Sequence, residues 1–389
     1  MRIGIFTDAY KPAISGVVTS IDMLVEGLRE LGDEVYIITT SYKGCEEEDN
    51  PYLIRINGWN VPFESFKGYQ LVKYRKKYLK QIEALNLDVI HVHTEFSIGR
   101  MGLKISKKLN IPMTYTMHTM YEDYMHHVIH HGRKLLKKPF NSYVKKWISR
   151  FANNSKEAII PNKKVIGVFE RFKIEAPYAL IPTGIELNLF YKEKHDREEI
   201  LKLRRSLGID DNDLVFVNIG RVAPEKSLDM IVKEFAKDLK NYQAKLLIVG
   251  DGPAMTGLKE LVKELEMEKY VILTGAVPWV DVPKYYQAGD VFVNASVTET
   301  QGLTYIEALA SSLPLLARYD TNLEEIITEN VNGLFFHDFD EFSKQSIRMI
   351  EDKELRERLT QNARDSVNKF SKEEYAKSVH SLYERIKNN

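Results

Sequence analysis

Glu299 and Glu307 enclose Thr300-Gln301-Gly302-Leu303-Thr304-Tyr305-Ile306, an E-x7-E arrangement behind a short apolar run that ends near Asn294. A helix starting near Gly302 would carry Glu307 one to two turns in and leave Glu299 just ahead, so both carboxylates would border one cavity at a helix N-terminus. The amides of Gly302 and Leu303 would then face a hydroxyl or phosphate oxygen. Either Glu taken singly also reads as a cap or an exposed helical residue; the pair beside Gln301-Gly302 fits a ligand better.

A second group is Asn218-Ile219-Gly220-Arg221-Val222-Ala223-Pro224-Glu225-Lys226. Gly220 opens a loop in which Arg221 and Lys226 set two fixed positive charges. Such a pair would neutralise a diphosphate and stabilise it as it departs. Each charge singly is commonly a surface ion pair. A third segment, Asp8 to Val18, places Gly16 where a helix should begin, so that a phosphate or sugar could approach free backbone N–H groups. It lacks the G-x-G-x-x-G pattern of a stable dinucleotide site, and a tight strand-to-helix turn explains it equally. His118 follows the run Met113-Thr114-Tyr115-Thr116-Met117. His126, His127, His130 and His131 lie in a basic amphipathic stretch, and no metal site is expected there. Asp211-Asn212-Asp213 and Asp338-Phe339-Asp340 read as solvated turns.

Short apolar runs alternate with longer segments of helical period along the chain, the pattern of parallel sheets covered by helices on both faces. Expected strands are 2–7, 34–39, 88–93, 112–117, 158–161 and 178–181, then 214–219, 244–249, 271–274, 290–294 and 313–317. The groups above stand at the carboxyl ends of these runs, where doubly wound sheets collect their ligands. The rhythm restarts after Ile181-Pro182-Thr183-Gly184-Ile185, which divides the chain into residues 1–183 and 184–389. A length of 389 residues gives each part enough chain for its own core. From about Asp338 the chain reads as successive helices, the last a candidate to cross back to the first domain.

Net charge is zero, but residues 1–190 hold 27 Lys+Arg against 20 Asp+Glu and residues 191–389 hold 28 against 35. The first half therefore suits an anionic partner. Its excess is concentrated in two acid-free stretches. Lys67, Lys73, Arg75, Lys76, Lys77 and Lys80 interleave with Phe66, Tyr69, Leu71, Tyr74, Tyr78 and Leu79; Arg133, Lys134, Lys137, Lys138, Lys145, Lys146 and Arg150 accompany Leu135, Leu136, Phe140, Trp147, Ile148 and Phe151. Basic helices with an apolar opposite face lie on anionic bilayers, each basic residue contributing about 1 kcal/mol near the surface. In the other reading the apolar stripes are core and the lysines merely solvated. No run approaches the ~18 apolar residues of a spanning helix. No signal-peptide pattern opens the chain, and Cys45 has no second cysteine to pair with, so the expected location is peripheral, on the cytoplasmic face of the membrane. Balanced overall charge and the lack of a docking motif argue against nucleic acid.

Taken together, Ser15-Gly16-Val17-Val18, His118, Ile181-Pro182-Thr183-Gly184-Ile185, Gly220-Arg221 with Glu225-Lys226, Gly250-Asp251-Gly252-Pro253 and Glu299-x7-Glu307 resemble the retaining GT-B glycosyltransferases of the family 4 type. More narrowly, His91-Val92-His93-Thr94-Glu95-Phe96-Ser97, Thr119-Met120-Tyr121-Glu122-Asp123-Tyr124 and Thr298 to Tyr305 resemble the bacterial 1,2-diacylglycerol 3-alpha-glucosyltransferases. The resemblance implies an α/β fold, GT-B, with two doubly wound Rossmann-like domains facing an interdomain cleft. It implies transfer of glucose, with retention, from UDP-glucose to the 3-hydroxyl of diacylglycerol on an anionic membrane. Catalytic roles fall to His118, Glu299, Lys226 and Arg221. Arg221 and Lys226 would hold the diphosphate, Glu307 the ribose, and Glu299, Gly302, Leu303 and Thr304 the sugar; Gly16 would let the phosphates approach, and His118 would touch the sugar near its reacting carbon. The departing phosphate would help take the acceptor proton, so no protein nucleophile is implied. No tightly bound cofactor is implied, while a Mg2+ requirement and the oligomeric state are left open. Ser15-Gly16 stands where many relatives carry two glycines.

Two other readings share these residues: a lipid mannosyl- or galactosyltransferase, and a membrane-binding module with a vestigial site. The intact set of Arg221, Lys226, Glu299 and Glu307 speaks against the second.

Overall fold

The computed structural model describes residues 1–13, 15–41, 50–60, 70–118, 137–296 and 302–388, with the backbone only at 60 and 137–143. It contains two compact units, Met1–Ile185 with Lys372–Asn389 and Glu186–Ser371. The first unit thus takes in the last helix, Lys372–Asn388, as well as the N-terminal half. That helix turns Tyr375, Val379, Leu382, Tyr383 and Ile386 inward, where they share a core with Ile21, Leu24 and Leu28 of the helix Gly16–Glu30 and with Ile3 and Ile5 beneath. Without it a row of large apolar side chains on the sheet would face water.

The first unit is built on strands β1 (Arg2–Phe6), β2 (Glu34–Thr40) and β3 (Leu53–Ile56), a short antiparallel ribbon of β4 (Trp59–Asn60) and β5 (Gln70–Leu71), and β6 (Val89–Val92), β7 (Met113–Thr116), β8 (Glu157–Ile160) and β9 (Tyr178–Leu180). Its seven-stranded sheet is parallel, in the order β3-β2-β1-β6-β7-β8-β9. The central strands are buried on both faces, which is why they appear in sequence as continuous apolar runs.

The second unit carries β10 (Leu214–Ile219), β11 (Ala244–Val249), β12 (Val271–Leu273), β13 (Val291–Asn294), β14 (Leu315–Arg318) and β15 (Gly333–Phe336). These form a parallel sheet in the order β12-β11-β10-β13-β14-β15. Strands β3 and β15, and the ribbon β4–β5, lie outside the expected runs. All are two to four residues long and at sheet edges or off the sheets, where a brief run such as Leu-Ile-Arg-Ile does not stand out from a helix face.

In each unit the strand order reverses once next to the first strand: between β1 and β6, and between β10 and β13. Loops leaving the carboxyl ends of those pairs diverge to opposite faces and open a crevice, the place where such sheets bind ligands.

Candidate functional site

In the second unit the crevice is flanked by the loops expected to hold a diphosphate and a ribose. Strand β10 ends at Ile219, and Gly220-Arg221 turn out of it into a short 3-10 segment, Pro224–Lys226, that leads to the helix Leu228–Glu234. Arg221 is exposed and its guanidinium donates to Glu225; Lys226 is half-buried. The loop is held by its neighbour after β11: Val222 N–H donates to Asp251 O at 3.0 Å and Ala254 N–H to Val222 O at 3.1 Å.

This close approach explains Gly250-Asp251-Gly252. A Cβ on Gly250, whose φ is +134°, would fall 1.9 Å from the carbonyl oxygen of Gly220, and one on Gly252 would fall 2.3 Å from that of Val222. Gly250→Ala is therefore expected to destabilise the fold by about 2 kcal/mol or more and displace the Arg221 loop. Chemical denaturation together with donor titration checks this; an unchanged midpoint and affinity would contradict it.

After β13 the chain reaches Gly302, a buried residue at φ +62° that starts the helix Leu303–Ala310. Among the described residues the amides of Leu303 and Thr304 have no acceptor, and such donors at a helix start suit an anion or hydroxyl. Glu307 accepts a hydrogen bond from Tyr286 Oη at 2.7 Å, and burial pushes its carboxyl up to about 7 although the Tyr286 bond pulls the other way. Tyr286 belongs to the helix Val282–Gln287 and is fully buried against Phe190 and Phe292. The structure thus brings Gly220, Arg221 and Lys226, after β10, and Gly302, Leu303, Thr304 and Glu307, after β13, to adjacent loops on one edge of the sheet. Glu299 lies outside the described residues.

The crevice of the first unit is built differently. Asp8, just past β1, is buried and accepts from Thr94 Oγ1 at 2.7 Å, Ser97 Oγ at 2.7 Å, and the N–H groups of Ile98 at 2.8 Å and Gly99 at 3.3 Å. These amides open the helix Ser97–Leu109. The chain's own carboxylate therefore fills the anion-binding position of this unit. Gly16 starts its helix behind Ser15, whose Oγ accepts from Val18 N–H at 3.3 Å, and a Cβ at Gly16 would meet nothing within 4 Å. Space is thus open there, but the helix N-terminus nearest the strand reversal is taken.

His118 follows β7, half-buried, with Nε2 at 2.8 Å from Nδ1 of buried His93. Burial depresses both imidazoles, His118 to about 4, so His118 is neutral at physiological pH. Residue spacing offers no reason to single out Asp8, His93 or Tyr286 for a role. A carboxylate directly after the first strand is a usable signal for Asp8; the other two act through partners distant in the chain.

Lys73, Arg75, Lys76, Lys77 and Lys80 are exposed, as are Lys146 and Arg150, while Lys145 is half-buried. Lys67, Arg133 and Lys134, the four clustered histidines and Cys45 lie outside the described residues, as do the side chains of Lys137 and Lys138. Among the described residues, several of the apolar side chains beside these cations face inward. Tyr78, Ile82, Val144, Ile148 and Phe151 are buried in the core. Trp147, expected among the lipid-contacting residues, packs on that core with its ring 5.0 Å from Phe96, edge-on, and the Arg100 guanidinium 5.2 Å above it. The sheet needs these side chains to cover its own surface, which leaves the cations as the outward face of the helices. Among the described residues no helix is long and apolar enough to cross a membrane.

Two doubly wound units, one with a cationic loop and a helix start after adjoining strands, define a two-domain α/β transferase of GT-B architecture. The family model described as Glycosyl transferases group 1 matches residues 199–366, and that of Glycosyltransferase Family 4 matches residues 14–189. The alpha-monoglucosyldiacylglycerol synthase of Acholeplasma laidlawii is 42% identical over 388 residues, 98% of this chain and 96% of its own length. The enzyme of the same name from Streptococcus pneumoniae is 35% identical over 387 residues, 98% of this chain and 85% of its own. Among solved structures, Anabaena HepE in complex with UDP matches with a TM-score of 0.76 at 18% identity, covering 99% of this chain and 100% of that one, a likeness of fold. The chain belongs to the GT-B glycosyltransferases of the family 4 type.

Proposed function

We propose that the chain is a retaining hexosyltransferase that moves glucose from UDP-glucose to the 3-hydroxyl of 1,2-diacylglycerol, giving alpha-monoglucosyldiacylglycerol on the cytoplasmic face of the cell membrane. The choice of substrates rests on the identity, over nearly the whole chain, with two synthases of that name. The observation that carries the placement of the donor is the contrast between the two crevices. Asp8 already occupies the helix start in the first unit, whereas in the second the amides of Leu303 and Thr304 have no acceptor among the described residues, and Arg221 and Lys226 stand on the loop after the adjoining strand. A dianionic diphosphate belongs where N–H groups and cations converge.

On this reading Arg221 and Lys226 neutralise the diphosphate and are worth most as the sugar–phosphate bond breaks and charge builds on the leaving oxygen. Glu307, as carboxylate, accepts from the ribose hydroxyls; Glu299 and the amides of Gly302 and Leu303 hold the sugar. His118 contacts the sugar near its reacting carbon. The departing phosphate takes the acceptor proton, and attack from the same face retains configuration.

The exposed cations from Lys73 to Lys80 favour anionic headgroups, and they stand next to a ribbon on which Trp59 and Leu71 are 62% and 48% exposed. Because the helical apolar stripes are core, attraction here is mainly electrostatic. The combined reversal Lys73→Glu, Arg75→Glu, Lys76→Glu and Lys77→Glu is expected to weaken binding to phosphatidylglycerol vesicles by at least about tenfold at low salt. Sedimentation of such vesicles checks it; equal binding would remove these residues from the membrane contact.

The test of function is incubation of the purified chain with labelled UDP-glucose, UDP-galactose or GDP-mannose and diacylglycerol in anionic vesicles. UDP-glucose should give an alpha-linked monoglucosyl product. Preference for another donor would replace glucose in the proposal, and binding to vesicles without transfer from any donor would reject it.

A further inference from the structure

Three histidines from two strand ends, two of them buried, form one group in the first unit. His91, at the third position of β6, places Nδ1 2.6 Å from Tyr383 Oη and Nε2 2.7 Å from Thr116 Oγ1. Both partners are hydroxyls, so His91 is pinned at its two ends, one of them by the last helix of the chain. The His93 ring lies against it, with centroids 3.9 Å apart, and then reaches His118 through the 2.8 Å contact between Nδ1 and Nε2. Nε2 of His93 is buried and has no hydrogen-bond partner among the described residues. Among the described residues Nδ1 of His118 has none either, and His118 as a whole is only half-buried.

One proton is shared across the contact, and the two ways of placing it are not equivalent. If His118 donated from Nε2, neutral His93 would carry its own proton on Nε2, leaving a buried N–H without an acceptor. If His93 donates from Nδ1, its Nε2 is a bare lone pair. Buried N–H groups without acceptors are rarer in folded proteins than under-used acceptors, so the second arrangement is preferred. Neither ring escapes the choice by taking a second proton, because burial holds both well below their ordinary range.

We propose that His93 is a positioning residue: by donating from Nδ1 to Nε2 of His118 it fixes His118 as the tautomer protonated on Nδ1, so that His118 meets an oxygen of the transferred sugar as a hydrogen-bond donor. This rests on the proposed contact of His118 with the sugar. His91, clamped between Tyr383 and Thr116, sets the plane of the His93 ring and so the direction of that bond.

The test uses the full chain with 15N-labelled histidine rings and long-range proton–nitrogen correlation at neutral pH, the His118 signals being those lost in His118→Asn. The expected spectrum has a protonated Nδ1 and a bare Nε2 on His118; a protonated Nε2 overturns the inference. In activity, His93→Leu is expected to lower kcat/KM about tenfold, the scale of one misdirected hydrogen bond. His93→Asn, whose amide N–H can stand where Nδ1–H stood, should recover most of that loss and show the wild-type His118 tautomer. Equal losses in the two variants, with unchanged melting, would mean that His93 fills space and does not set a proton. Should His93→Leu fail to fold, the wild-type spectrum and His93→Asn decide the matter. Full turnover in His118→Ala would instead sink the role given to His118, with the tautomer measurement still standing.

Discussion

Lys226→Ala is expected to lower kcat by about 10²- to 10³-fold, the loss typical of removing one preorganised positive group from a site where charge develops. Lys226 stands in the one-turn segment Pro224–Lys226, and the backbone bond from its N–H to Ala223 O at 3.0 Å does not depend on its side chain. The variant should therefore keep the backbone of that segment and bind vesicles equally. Its defect should be larger in kcat than in donor affinity, because the ammonium group interacts more strongly with the leaving diphosphate than with the intact diester. Single-turnover rates and donor titrations on the purified variant separate the two. A near-normal rate would remove Lys226 from the site, and with it the assignment of the β10 loop to the diphosphate.

Glu307→Gln should have opposite effects on function and stability. Burial pushes this carboxyl up to about 7 in the folded chain. Between the ordinary carboxylate range and about 7 the folded chain keeps a proton that the unfolded chain has released, so stability falls as pH rises through that window. Above it both states are ionised and the full cost, about 3 kcal/mol, is present. An amide carries no such cost and still accepts from Tyr286 Oη. The variant should thus be more stable than the parent above about pH 7, with the advantage fading as pH falls toward 4.5, the ordinary value for Glu. Donor affinity should drop by about ten- to a hundredfold, because a carboxylate accepts from ribose hydroxyls more strongly than an amide does. In the parent chain the same ionisation predicts donor affinity that is flat above about 7 and declines below it. Urea unfolding and calorimetric donor titration across pH check both signs. If Glu307→Gln bound the donor normally, this carboxylate would not be the ribose ligand.

The parts of the site that could be read from the sequence are those whose chemistry is local. Gly220, Arg221 and Lys226 lie within one loop, as do Gly302 and Glu307 within one turn and a half of helix, and each follows an apolar run long enough to be recognised as a central strand. The residues not read from spacing act across the fold. Tyr286 reaches Glu307 from another helix, and His93 reaches His118 from a neighbouring strand. Asp8 is bound by four donors from residues 94–99, and no periodicity links position 8 to those. The packing of Trp147 on the core was not legible for a related reason: an amphipathic pattern says that one face is apolar but not whether protein or lipid covers it.

By itself the sequence determined two α/β domains, the carboxyl-end loops that carry charge, and the basic excess of the first half, because strand period, glycine placement and charge are properties of neighbouring residues. Only the tertiary structure decided that the last helix completes the first unit, that Asp8 fills the helix start at Ser97, and that burial lifts Glu307 and depresses His118. These follow from strand order, which places segments far apart in the chain side by side and sets how much water each group keeps.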